Sequence, residues 1–198
     1  KKFFKETDFP RTNILNVSKD ELNSSKTIQF IKEIEPDLIM SYGVHKLSDD
    51  LINSCKGEAW NIHGGLSPWY RGVATHFWPS YFLEPQMTGM TIHDLTQDID
   101  GGNIIHQNSV TLVEGDSLHD LACRAVKEMG DDLSILIDKF KNNKVVKFPQ
   151  TTSGRIWISK DWRPEHLRMI YEYNNDNIVD LVIKGRIAGK IPKIIRQF

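Results

Sequence analysis

Apolar positions along this 198-residue chain follow two rhythms. Ile28, Ile31 and Ile34 recur every third position, and Pro36 stops the pattern. That spacing predicts a short helix with one apolar stripe, capped by Ser24 or Ser25. The run DLIMSYG then reads as a buried strand ended by Gly43. SDDLINSC repeats the helix signal, with Ser48 as cap and two acids in its first turn. EAWNIH repeats the strand signal. Helices and strands alternating in this way predict an α/β structure with a mostly parallel sheet flanked by helices.

Beyond a glycine-rich stretch, ATHFWPSYF reads as a helix limited or kinked by Pro79. GMTIHDL and NIIHQNSVTLV read as strands, the second suited to a sheet edge. Residues 117 to 141 carry the longest amphipathic pattern: Leu118, Leu121, Ala125, Met129, Leu133, Leu136 and Phe140. Ser117 and Asp120 form a capping pair, and Gly130 weakens the middle by about 1 kcal/mol. KVVKF reads as a short strand, and PQTTSG breaks the pattern. Residues 1–150 therefore form one expected domain. Residues 151–198 form a short appendage holding Trp157, Trp162, Tyr171 and Tyr173, with nine Lys/Arg against five Asp/Glu.

Composition narrows the function mainly by exclusion. Twenty-five basic and twenty-six acidic residues leave a formal charge of −1, so no global field attracts nucleic acid. No apolar stretch is long enough to span a membrane, and no signal-peptide pattern is visible. Cys55 and Cys123 stand far apart without CxxC spacing and read as thiols of a reducing compartment, which points to the cytoplasm.

Candidate chemistry concentrates in WNIHGGLSPWYRG, residues 60–72. Residues two apart on a strand share a face, so Asn61 and His63 reach one space at the strand's C-terminal end. Ligands of open α/β sheets bind at that edge. A carboxamide and an imidazole there either stabilise an oxyanion or merely cap a turn. Gly64 and Gly65 leave room for a substrate. DIDGGN, residues 98–103, places Asp98 and Asp100 in a loop between strands, as a turn or as a proton shuttle beside an imidazole. His76 lies on the expected helix. His93 reads as a core histidine bonded to backbone, or with His63 and Asp100 as one side of a metal site; no HExxH or CxxC favours the metal. GxGxxG, the phosphate-loop pattern and GxSxG are all absent.

These two stretches resemble the signatures of the folate-dependent formyltransferases. NIHGGLSPWYRG is similar to Asn-x-His-x-x-Leu-x-Pro-x-[Tyr/Phe]-[Arg/Lys/Pro]-Gly, and TGMTIHDLTQDIDGGNII to the second signature, which ends in Asp-x-Gly. The resemblance runs from about residue 20 to residue 150. It implies a Rossmann-like formyltransferase domain using 10-formyltetrahydrofolate and no metal. It places the catalytic residues at Asn61, His63 and Asp100, and the folate pocket at His45, Lys46, Leu47, Gln97, Asp98 and Ile99. Gly64, Arg71 and His76 are the candidate acceptor contacts. Sixty residues precede Asn61, fewer than family members usually carry, so an N-terminal βα unit is expected to be missing.

The implied acceptor is a small-molecule amine, with neither nucleic acid nor membrane as partner. Arg71 and the short aromatic tail resemble the nucleotide-sugar branch, which implies a dTDP-amino-dideoxyhexose. Glycinamide ribonucleotide is the second choice. Methionyl-tRNA and water, as in a formyltetrahydrofolate hydrolase, rank lower. The tail is also a candidate homodimerisation element.

Overall fold

The computed structural model describes Phe3, residues 11–150 and residues 154–198. Helix α1, Ser25–Ile34, starts where Ser24 accepts a hydrogen bond from the Thr27 N–H. Strand β1, Leu38–Tyr42, is followed by α2, Asp49–Ile52, capped by Ser48. Strand β2, Glu58–His63, runs parallel to β1, with Ser41 opposite Asn61. Both expected caps are thus present. DLIMSY is half exposed rather than buried. Among the described residues β1 lies at the edge of a sheet ordered β1-β2-β4-β5, so only one flank has a strand neighbour.

Strand β3, Tyr70–Gly72, and helix α3, Trp78–Tyr81, follow the glycine loop. The helix expected over residues 74–82 is cut to one turn. Ala74 takes a left-handed backbone at φ 58°, and proline sits in the first turn, where its missing N–H costs nothing. Strand β4, Gly89–Asp94, joins the main sheet antiparallel to β2, and β5, Ile104–Ser109, pairs antiparallel with β4. Parallel pairing holds in β1–β2 and β3–β6, where β6 is Arg155–Trp157. Only residues 95–103 connect β4 to β5. A parallel return needs a crossover of a dozen or more residues, so this link forces a hairpin.

Side-chain alternation then sorts the sheet into two faces. Trp60, Met90, Ile92 and Ile105 turn toward Leu121, Ala125, Met129 and Leu136 of α4, Leu118–Lys141, in one buried cluster. Truncating Met129 to alanine there costs about 2–5 kcal/mol. Asn61, His63, Thr91 and His93 alternate with those residues and so belong to the opposite face. The Ser117–Asp120 capping box of α4 is present.

The segment KVVKF forms no strand. Phe148 alone bridges Ile104, while Lys147 turns its ammonium to Glu58 and Asp94 at 3.1 and 2.8 Å. The edge of β5 is covered from the chain's end instead. The Gln107 N–H donates to the Ile195 carbonyl at 2.7 Å, and Gln197 Nε2 to the Ile105 carbonyl at 2.6 Å. Residues 155–198, with α5 at Leu167–Tyr171 and α6 at Ile178–Ile183, contribute to a second core. Trp157, Ile170 and Ile178 pack there with Leu66, Phe77 and Trp78. Trp78 and Trp157 stack with ring centroids 4.2 Å apart. Of the described helices, none is long and apolar enough to cross a membrane.

Candidate active site

The register of β2 against β4 sets Asn61 directly opposite His93. Their side chains therefore meet, with Asn61 Nδ2 3.1 Å from His93 Nε2. Asn61 Nδ2 also donates to Asp100 Oδ1 at 3.3 Å. The carboxamide is oriented from behind: Ser41 Oγ donates to Asn61 Oδ1 at 2.8 Å. Nδ2 is thereby turned toward the histidine and aspartate side.

Asp100 arrives from the β4–β5 loop in a left-handed conformation, φ 47°, which Asp tolerates better than most side chains. Gln150 Nε2 pins that loop by donating to the Asp100 carbonyl at 2.8 Å and the Gly102 carbonyl at 2.7 Å. The Gly72 N–H donates to Asp100 Oδ2 at 2.7 Å. Asp100 Oδ1 lies 3.4 Å from both His63 Nδ1 and His93 Nε2. Burial raises the Asp100 pKa. The His93 hydrogen bond, the His63 imidazole and the Gly72 N–H together outweigh it, and the carboxyl lies below its ordinary range.

His63 Nε2 is 2.8 Å from the Tyr70 carbonyl. A carbonyl only accepts, so Nε2 carries the hydrogen and the neutral ring presents a bare Nδ1 toward Asp100. Burial pushes the His63 pKa down, and Asp100 opposes this only in part. The same logic applies to the tautomer of His93, whose Nδ1 lies 2.7 Å from the Asp94 carbonyl. With Nδ1 donating there, Nε2 is left facing Asn61 Nδ2 and Asp100 Oδ1.

The glycine loop is fixed by a buried polar set. Thr91 Oγ1 donates to the Gly65 carbonyl at 2.7 Å and accepts the Ser67 N–H at 3.0 Å. Gln107 Nε2 donates to the Ser67 carbonyl at 2.7 Å. Gly65 is required by space: a Cβ there would meet His63 Nε2, the Tyr70 carbonyl and Thr75.

Asn61, His93 and Asp100 open onto a cleft of ≈ 380 Å³. All six residues expected around the folate line it: His45, Lys46, Leu47, Gln97, Asp98 and Ile99. Gln97 Nε2 ties the two loops together by donating to the Leu47 carbonyl at 3.1 Å. Gly64 and His76 line a separate cavity of ≈ 410 Å³. Arg71 lines neither opening; its Nη2 donates to the Gly154 carbonyl at 3.1 Å. Among the described residues no group of three or more His, Cys, Asp or Glu is placed to hold a metal ion. Sequence reasoning missed Ser41 and Gln150, whose hydrogen bonds cross 20 and 50 residues and leave no local signal.

The formyl transferase family model matches residues 3–136, about two thirds of the chain. The chain belongs to the formyl transferase family. It is 34% identical over 128 residues to the bifunctional polymyxin resistance protein ArnA of Wigglesworthia glossinidia brevipalpis. That match covers 63% of this chain and 19% of ArnA, so the chain spans about a fifth of the relative's length. Among solved structures, it is similar to the formyltransferase PseJ of Anoxybacillus kamchatkensis, with TM-score 0.58 and 28% identity over 73% of this chain and 75% of that one. PseJ was crystallised with UDP-4,6-dideoxy-4-formamido-L-AltNAc and tetrahydrofolate. It is also similar to WlaRD, a sugar 3N-formyl transferase solved in the presence of dTDP and 5-N-formyl-THF. There the TM-score is 0.57 and the identity 27%, over 67% of this chain and 49% of that one. Within this formyl transferase fold, both signature stretches and Asp100 fall inside the matched region.

Proposed function

We propose that this formyl transferase moves a formyl group from 10-formyltetrahydrofolate to the primary amine of a nucleotide-linked amino sugar, of the dTDP-amino-dideoxyhexose type. The reading is carried by one observation: Asn61 and Asp100, the latter with buried His63 Nδ1 3.4 Å from its Oδ1, meet where the 45–47 and 97–99 loops frame a cleft. The cleft suits a flat heterocycle. Val44, Val73 and Ile99 line it yet stay 50%, 46% and 50% exposed, apolar surface that a bound ring would cover. PseJ and WlaRD, both solved with a reduced folate, support the same co-substrate; PseJ was solved with a UDP-linked sugar as well, and WlaRD with dTDP.

When bound, the folate supplies the formyl carbon on N10 as the electrophile. The chain's residues supply charge stabilisation and proton movement. Asn61, with Oδ1 held by Ser41, gives up its 3.3 Å contact to Asp100 and turns that Nδ2–H to the oxygen on which negative charge develops. His63 was expected to share that donor role. With Nε2–H committed to Tyr70, its bare Nδ1 instead receives the proton that the attacking amine loses. Asp100 stabilises the resulting imidazolium, and the proton passes on to the departing nitrogen.

The test is a screen of dTDP- and UDP-linked amino sugars and glycinamide ribonucleotide with 10-formyltetrahydrofolate, read by mass spectrometry for the formamide. Formate release without an acceptor, and no formamide with any amine, would replace this reading with a hydrolase.

A further inference from the structure

We infer that the cavity behind Gly64 is the acceptor subsite, and that Trp162 and Leu167 of the C-terminal segment make it select a sugar with a deoxygenated face. The inference rests on the formyl-transfer reading and adds the part of the chain that chooses the amine.

The cavity of ≈ 410 Å³ begins at Gly64, the residue after His63, so it adjoins the strand end that carries the site. No side chain intervenes there: a Cβ on Gly64 would press on the His76 ring at 3.2 Å. The remaining walls are mainly carbon, from Phe77, Leu118, Ala122, Trp162 and Leu167. Phe77 holds the Trp162 ring edge to face, with centroids 6.2 Å apart.

The polar side chains that reach the cavity are largely committed elsewhere. Thr75 Oγ1 donates to the Gly64 carbonyl. His76 Nε2 bonds the Gly89 carbonyl at 3.1 Å, and His119 Nε2 pairs with the Tyr171 hydroxyl at 3.1 Å. A ring rich in hydroxyls would leave several of them unpaired against carbon, which is costly. A ring face made of C–H and methyl groups meets an aromatic wall without that cost.

Trp162 and Leu167 both lie beyond residue 136, where the family match ends. The cavity therefore combines a floor inside the matched region, Gly64 and His76, with a wall that Trp162 and Leu167 supply from outside it. Selectivity carried by such a wall can vary while Asn61, His63 and Asp100 stay fixed.

The experiment uses the full chain and two acceptors differing by one hydroxyl, dTDP-4-amino-4,6-dideoxyglucose and dTDP-4-amino-4-deoxyglucose. Wild type is expected to favour the 6-deoxy sugar about tenfold in kcat/KM. Trp162→Ala is expected to raise KM for that sugar about tenfold or more, to change kcat less than about threefold and to erase the preference. Ala122→Leu fills the same cavity from α4 without removing a packing group and is expected to raise KM similarly. Binding of 5-formyltetrahydrofolate, measured by calorimetry, should persist in both variants and reports an intact fold. A KM indifferent to Ala122→Leu, or to Trp162→Ala in a variant that still binds folate, overturns the subsite while formyl transfer stands. A wild-type chain that binds 5-formyltetrahydrofolate but forms no formamide with either sugar overturns the formyl-transfer reading, and the subsite with it.

Discussion

Asn61 Nδ2 lies 3.3 Å from Asp100 Oδ1, although thirty-nine positions of chain separate the two residues. The contact joins a strand end to a loop. It also joins the group proposed to meet developing negative charge to the group proposed to stabilise a proton. Asn61→Ala removes the donor, and Asp100→Asn keeps the shape but removes the charge beside His63. Each is expected to lower kcat about 100-fold, the usual effect of losing one preorganised donor or charge. Binding of 5-formyltetrahydrofolate should change little, because the cleft walls remain. Wild-type turnover in either variant would remove the residue from the chemistry.

Ser41 acts one step further back. Its hydroxyl donates to Asn61 Oδ1, which decides which end of the carboxamide faces Asp100. Ser41→Ala frees the amide to rotate and leaves a half-buried carbonyl without its donor. We expect kcat to fall about fivefold to tenfold with KM for the folate unchanged, as for a lost neutral hydrogen bond of about 1 kcal/mol. Ser41→Thr should recover most of the rate. An equal loss in both variants would mean that Ser41 only packs.

The sequence carries the parts of this site that depend on spacing. Asn61 and His63 share a strand face by alternation, and both loop segments around the cleft sit next to strand ends. Ser24, Ser48 and Ser117 cap helices as their positions predict. What it does not carry depends on strand pairing. The antiparallel approach of β4 brings His93 onto Asn61, and nothing local in TIHDL announces that register. KVVKF has strand composition, but β5 takes only Phe148 from it and is covered by the chain's last residues. The motif position of Arg71 leads to the expectation of an acceptor contact; which group its side chain holds, the Gly154 carbonyl, is set by a pairing 83 residues away.

His76 predicts a pH signature of stability. Burial holds its pKa down at about 4; the bond to the Gly89 carbonyl opposes this, and His63 adds to it. An unfolded histidine titrates near 6.5. Between those values the unfolded chain binds a proton that the folded chain does not, so stability rises with pH. The penalty is absent well above pH 6.5, grows as pH falls and levels off below about pH 4. Between pH 7.5 and pH 5 it amounts to about 2 kcal/mol. His76→Gln is expected to flatten the pH dependence of urea unfolding by about that amount. A slope equal to wild type over this range would show that His76 titrates normally.

Two glycine-to-alanine changes should move stability in opposite directions. Gly72 has φ 95°, and a Cβ there would run into the Trp157 carbonyl across the β3–β6 pair. Its N–H also holds Asp100 Oδ2 at 2.7 Å, so strain at this residue reaches the Asp100 carboxylate. Gly130 lies inside α4 with nothing within 4 Å of the added carbon. Gly130→Ala is expected to stabilise by about 0.5–1 kcal/mol through helix propensity and lost unfolded-state entropy. Gly72→Ala is expected to destabilise by about 2 kcal/mol or more, because a left-handed backbone and a backbone clash coincide. It should also cut kcat more than Gly130→Ala does, since only Gly72 touches Asp100. Thermal melts and turnover on the two variants decide this. A Gly72→Ala protein as stable and active as Gly130→Ala would mean that the Asp100 anchor does not depend on the β3–β6 pairing.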